Sequence, residues 1–220
     1  MSDRFWRGGT ASWNGVTGTK WAATVGGAGG ASVPTSADDV FFDAISGAVT
    51  CTISSGNNGA KSITCTGFTG TLTSNADITV SGNITFVAGM TLSLINTITV
   101  NATATLISNG KSYFDLIING AGITVTLGDA LSVLLTLTVT SGTFTTNNYN
   151  VTTASLSSSN SNVRAINLGS STLTLGGSPP ISFTTATNLT FNSGTSQINL
   201  TLAGTLFPYT TLFRSRKSVV

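Results

Sequence analysis

The 220-residue chain carries seven aspartates but no glutamate and no histidine. Acid–base chemistry would therefore rest on Asp, Lys and Tyr, and it works best when such groups are paired. Asp77, Asp115 and Asp129 are isolated in sequence, each beside a turn or strand, where solvated structural roles are the default. Asp115 with Lys111 is the nearest local approach of an acid to a base, and Arg164 stands alone. "ADDVFFD" (37–43) gathers three aspartates, and calcium prefers several oxygen ligands. Its spacing follows no calcium-loop pattern, so it reads as a turn of a cap. Cys51 in "VTCTI" and Cys65 in "SITCT" fall on the same side as Val49, Ile53 and Ile63. They read as buried free thiols stacked on neighbouring strands, and a disulfide would need Cα atoms within about 7 Å. Two cysteines without histidine do not make a metal site. The expectation is a non-enzyme with no catalytic, cofactor-binding or metal-ligating residues.

Charged residues make up only 7% of the chain, against about 25% in ordinary domains. Thr (40), Ser (28) and Asn (18) must solvate the surface instead. With 40% apolar residues recurring at regular intervals, disorder is excluded. The net charge is +2, but Arg214, Arg216 and Lys217 crowd the last stretch, and the remaining six basic residues face seven aspartates. No basic stripe remains to track phosphates, so nucleic acid is not an expected partner. "MSDRFWRGG" has charges and glycines where a signal peptide needs a continuous apolar run. No stretch approaches the ~18 apolar residues of a membrane span. The expectation is a chain without signal peptide or membrane contact, reaching the outside by another route, such as release inside a virus particle.

The elements that would position these side chains are short strands. "DITV" (77–80), "ITVTL" (123–127), "LTLTVT" (135–140), "STLTL" (171–175), "NLTF" (188–191) and "QINLTL" (197–202) all alternate with period two. The pattern puts Ile78 and Val80, Ile123, Val125 and Leu127, and Leu135, Leu137 and Val139 on inward faces. Gly and Asn turns separate the runs: "SGN" (81–83), "SNG" (108–110), "NGAG" (119–122), "TSG" (140–142), "TNN" (146–148), "LGG" (175–177) and "NSG" (192–194). No segment holds a helical period. Comparable inward positions recur about every 20 residues: Ile78, Ile98, Ile117, Leu137, Leu156, Leu173. Within "FDLIING", however, Ile117 also reads as an apolar residue facing outward. A loose repeat of this length predicts an all-β fold, a right-handed parallel β-helix (β-solenoid) whose stacked coils close one core. A β-sandwich is the alternative.

Residues 1–48 differ, with Trp6, Trp13 and Trp21 in a Gly-rich setting. They read as an N-terminal cap covering the first coil's open edge. "SWNGVTGTKWAATVGGAGGASVPTSADDVFFD" resembles the opening of many parallel β-helix proteins. Residues 113–202 are similar to low-charge β-helical repeats of phage structural proteins and bacterial surface adhesins. The resemblance implies a structural or receptor-binding solenoid of a phage virion, tail-associated as such fibres are, assembling as a homotrimer with other virion proteins and meeting a host surface glycan. The alternative is a bacterial adhesin at the cell surface. Weaker alternatives are a polysaccharide-degrading β-helix enzyme, which would need clustered carboxylates, and an ice-binding solenoid. The latter needs Thr ranks repeating on one wall, whereas Thr79, Thr99, Thr124, Thr136, Thr138, Thr172 and Thr174 are unevenly placed.

Composition breaks again at Thr205. "TLFPYTTLFRS" (205–215) resembles the in-frame translation of a sequencing-library adapter, and "RKSVV" (216–220) is similar to that adapter's opposite strand. The resemblance implies a non-native tail on a naturally longer chain. The expected organisation is 1–48 cap, 49–204 solenoid and 205–220 adapter-like tail.

Overall fold

A computed structural model describes residues 2–14, 20–56 and 58–201. The 205–220 tail and Leu202 lie outside the described residues. The chain winds as a β-solenoid of about eight turns, each contributing short strands to three walls.

The first wall stacks Asp3–Trp6, Asp39–Asp43, Ser62–Thr66, Ile84–Thr85 and Ala104–Ile107 in parallel. It continues through the later halves of Asp115–Leu127 and Leu131–Thr145 to Arg164–Asn167 and Leu189–Asn192. The second wall has two hydrogen-bonded blocks. One runs Ala11–Ser12, Thr50–Ile53, Thr71–Ser74, Thr91–Ser93. The other runs from Ser112–Tyr113 through residues 131–133 and 151–153 to Thr172–Leu175 and Gln197–Leu200. The third wall holds Gly59–Ala60, Ile78–Val80 and Thr97–Val100, then residues 115–118, 136–139 and 155–157, and ends at Ile181–Ser182.

Register makes the core. On the third wall Ile78, Ile98, Leu116, Leu137, Leu156 and Ile181 form one ladder. Val40, Ile63, Ile84, Leu106 and Leu127 form another on the first wall. Because side chains alternate sides along a strand, each ladder is wholly inward or wholly outward. Leu116 is therefore the inward residue of its rung and Ile117 is outward, on the ladder of Thr99 and Thr138. Leu173 belongs to a different wall, between Val151 and Ile198. Leu135, grouped with Leu137 by simple alternation, is 43% exposed. The pairing shifts register between Val133 and Thr136, where the chain bends from the second wall to the third, and the bend turns Leu135 outward.

The bends explain the turn residues. Asn109 and Gly110 both have positive φ (46° and 76°), as do Asn147 and Asn148 (51° and 69°). These are mirror-type turns closed by the Lys111 and Tyr149 amides onto the Ser108 and Thr146 carbonyls. "NGAG" and "TSG" do not end strands. They bend the long strands Asp115–Leu127 and Leu131–Thr145 from one wall to the next, with Gly122 and Gly142 at positive φ.

Residues 2–48 are more than an irregular cover, since their strands Asp3–Trp6 and Asp39–Asp43 already stand in register with the coils above. Trp21–Ala22 pairs antiparallel with Asp3–Trp6 and occupies the lower edge of the first wall. Trp6, Trp13 and Trp21 are buried around Phe42, with neighbouring tryptophan ring centroids 4.9 Å apart and edge-on. Their indole N–H groups at Trp6 and Trp21 donate to the Gly9 and Trp13 carbonyls. The lowest coil thus replaces the strands below it with aromatic surface.

Candidate functional site

The aspartates singled out in the sequence do not converge. Asp77 accepts the Thr97 amide at 2.9 Å and Asp115 accepts the Thr136 amide at 2.8 Å. Asp129 accepts the Ser108 and Asn109 amides at 2.7 and 2.5 Å. Each carboxylate sits at a bend and bonds backbone of an adjacent coil, where the strand ladder lapses. Asn83, Asn148 and Asn150 do the same through their amide oxygens. Asp and Asn share that role because each offers an acceptor oxygen on a short stem, although only a carboxylate can take two amides on separate oxygens, as Asp129 does. Among the described residues no ion pair joins Lys111 to Asp115.

The three aspartates of "ADDVFFD" each have a partner. Asp43 takes a two-pronged ion pair from Arg7, at 2.9 and 2.7 Å, and caps the short 3-10 helix Ala44–Ser46. Asp39 meets Lys61 at 2.9 Å and Ser62 at 2.5 Å. Asp38 accepts from Thr35 and lies 3.8 Å from Arg4. Burial alone would raise these carboxyls, but hydrogen bonds and the neighbouring cations outweigh it and hold all three below the usual 3.8.

Cys51 and Cys65 are buried and unpaired. They are not on hydrogen-bonded neighbours: Cys51 is on the second wall, under Leu72, and Cys65 on the first, above Phe42. Desolvation pushes Cys65 up to about 12 and Cys51 well above its ordinary value. Both stay protonated thiols and act as small apolar side chains.

Arg164, which stands alone in the sequence, is fully engaged in the fold. It is 2% exposed. Its Nε donates to Ser158 Oγ, and its two terminal nitrogens donate to the carbonyls of Ser158, Asn162, Thr185 and Thr187 at 2.6–2.9 Å. All five donors are used, and every acceptor is neutral. Burial lowers its pKa from the usual arginine value, yet guanidinium remains a cation. The side chain ties together two loops of successive coils, so its role is structural.

Two surfaces remain. On the second wall Thr50, Thr71 and Thr91 form one outward column, and Ser12, Thr52, Thr73 and Ser93 a second. These ranks are regular, unlike the threonines singled out from sequence. Thr79 and Thr99 share a ladder with Ile117 and Thr138, while Thr124 and Thr172 stand on two other walls. The rungs of this set recur about every 20 residues, from Thr50 to Thr71 to Thr91, but nothing in the spacing marks them out among the chain's forty threonines.

The second surface is a concave site of about 380 Å³ on the first wall, lined by Asp3, Phe5, Val25, Phe41, Phe42, Asp43, Thr64 and Thr66. Phe5 and Phe41, outward on adjacent rungs, stack with centroids 4.7 Å apart and planes 15° from parallel. Arg7 lies over Phe5, its guanidinium carbon 5.7 Å from the ring centre. No protein-family model, curated protein or solved structure matches the chain.

Proposed function

We propose that the chain is a non-enzymatic, structural or receptor-binding solenoid of a phage virion, associated with its tail. The observation that carries this reading is the outward surface. Ladder after ladder of Thr, Ser and Asn covers the upper walls, as in Thr105, Thr126, Thr145, Asn167 and Asn192. Asn192 donates to Asn167 at 2.6 Å, and Asn167 to Thr145 at 3.3 Å, so the side chains stiffen the stack along its axis. Asp38, Asp39, Asp43, Asp77, Asp115 and Asp129 are each engaged with backbone, hydroxyl or basic partners. A rigid, uncharged rod suits display and assembly better than turnover.

The rival is a bacterial surface adhesin, which uses the same kind of rod. The genes beside the coding sequence discriminate: capsid and tail genes support the virion reading, and secretion genes support the rival. Cleavage of a glycan by the purified protein would overturn both. Assembly as a homotrimer with other virion proteins belongs to the same proposal. Ile95, Leu134 and Leu135 are exposed at bends between the second and third walls, and Ile117 faces outward nearby, which favours lateral contact between copies. A monomer by light scattering at micromolar concentration counts against it.

The regular threonine ranks of the second wall favour one further reading, an ice-binding face. Two hydroxyl columns, with methyls at the threonines, repeat there at the strand spacing of about 4.8 Å. Inhibition of ice recrystallisation, lost on placing lysine at Thr71 and Thr73, would establish that reading over the first.

A further inference from the structure

We propose that the concave site on the first wall binds an aromatic side chain of a partner protein, as the third ring of a stack that the chain itself begins. Phe5 and Phe41 are outward neighbours in register, and their rings lie nearly parallel with centroids 4.7 Å apart. That distance matches the spacing of strands in a sheet, about 4.8 Å, so the ladder carries one ring per rung. The next rungs hold Thr64 and then Thr85, and the stack ends at Phe41. A threonine covers the root of the phenyl ring and is too short to cover the rest of its face. Phe5 is buried, whereas Phe41 is only half-buried. Beside that face the wall is concave over about 380 Å³, with Val25, Thr64 and Thr66 around it.

The lining selects a neutral, flat group. It includes no lysine or arginine, so a nucleobase would bring phosphates with no cation to meet them. Of its two carboxylates, Asp3 stands on the rung of Phe5, two rungs from Thr64. Asp43, on the rung of Phe41, is already held by Arg7 and the Ser46 amide. A cation lying on Phe41 therefore meets no uncompensated carboxylate at its own height. A sugar is matched no better, since the groups at that height that can meet its hydroxyls are the Thr64 and Thr66 side chains. What remains is a phenyl face bordered by valine and threonine methyls. An aromatic ring gains from such a face more than its buried area alone supplies, by about two- to tenfold in affinity.

The test uses the full chain, isotope-labelled, titrated with capped Gly-Trp-Gly, with versions carrying leucine or arginine in place of tryptophan, and with methyl glucoside. The expected result is a saturable shift of the Val25, Phe41, Thr64 and Thr66 amides with the tryptophan peptide. Leucine should bind roughly two- to tenfold more weakly, and arginine and the glucoside should also bind more weakly than tryptophan. T64F supplies the third ring from the chain itself, at an outward position, and should abolish the shift. T64A removes the same hydroxyl without filling the site and should keep it. F41L should weaken the tryptophan peptide roughly two- to tenfold, and it reports independently if T64F disturbs the fold. Absence of shifts at these amides, leucine, arginine or glucoside binding as tightly as tryptophan, undiminished binding in a folded T64F or in F41L, or loss of binding in T64A would each overturn the proposal.

Discussion

Replacing Arg164 by methionine keeps the apolar stem and removes the charge with all five donors. Four carbonyls, of Ser158, Asn162, Thr185 and Thr187, then lose their partner. Ser158 Oγ retains its bond to the Val139 carbonyl at 2.8 Å. A buried acceptor left unsatisfied costs about 1–3 kcal/mol, so four would cost about 4–12 kcal/mol if none found water. Residues 161–163 and 184–187 are exposed, so water reaches part of the gap. The guanidinium also no longer has to be desolvated. Both effects bring the expected loss to about 3–5 kcal/mol, the range for stripping one partner from a buried charged network. Lysine, with three donors for five acceptors, should cost on the order of 2 kcal/mol. Solenoid stability is a sum over neighbouring coils, so the damage should be local. Hydrogen exchange on R164M should show lost protection over 155–200 and little change over 40–100. A loss below about 1 kcal/mol, or a uniform loss of protection along the rod, would refute the argument.

Other outcomes follow from the same geometry. The folded pKa values of Asp38, Asp39 and Asp43 lie below the ordinary 3.8, so their stabilisation is complete above that pH and drains away as pH falls through the folded values. Tryptophan fluorescence should therefore report loosening of the lowest coil only below about pH 4. Cys51 and Cys65, with raised pKa values, should react with a thiol reagent at pH 8 only after denaturant is added. Gly142 has φ +87°, and a Cβ there would stand 2.5 Å from the Gly120 carbonyl oxygen. G142A should lower stability by about 2 kcal/mol or more in urea unfolding. W21A should cost about 3–5 kcal/mol, with exchange protection lost first in residues 3–6 and 39–43.

The strands were legible because period-two alternation is a property of neighbouring residues. Ile78 with Val80, and Leu137 with Val139, are buried as their runs predict. Wall membership was not legible, because it depends on where the chain bends. Leu135 lies at such a bend, where simple alternation misassigns it, and a fixed interval of about 20 residues misassigns Ile117 and Leu173. The first coil was hidden by its composition: tryptophan and glycine mark a cap, and only pairing with Ser62–Thr66 shows that Asp39–Asp43 is also a rung. The concave site was invisible for a related reason. Phe5, Phe41 and Thr64 are brought together by register across two coils, and Arg7 reaches Asp43 across 36 positions. Arg164 has no sequence signature at all, since its partners are backbone carbonyls that any residue supplies.

Immunogold labelling with an antibody raised against residues 62–200 tests the central proposal most directly. Applied to phage particles and bacteria from the source sample, it should decorate phage tails. Gold confined to bacterial envelopes, with the particles bare, would contradict the proposal.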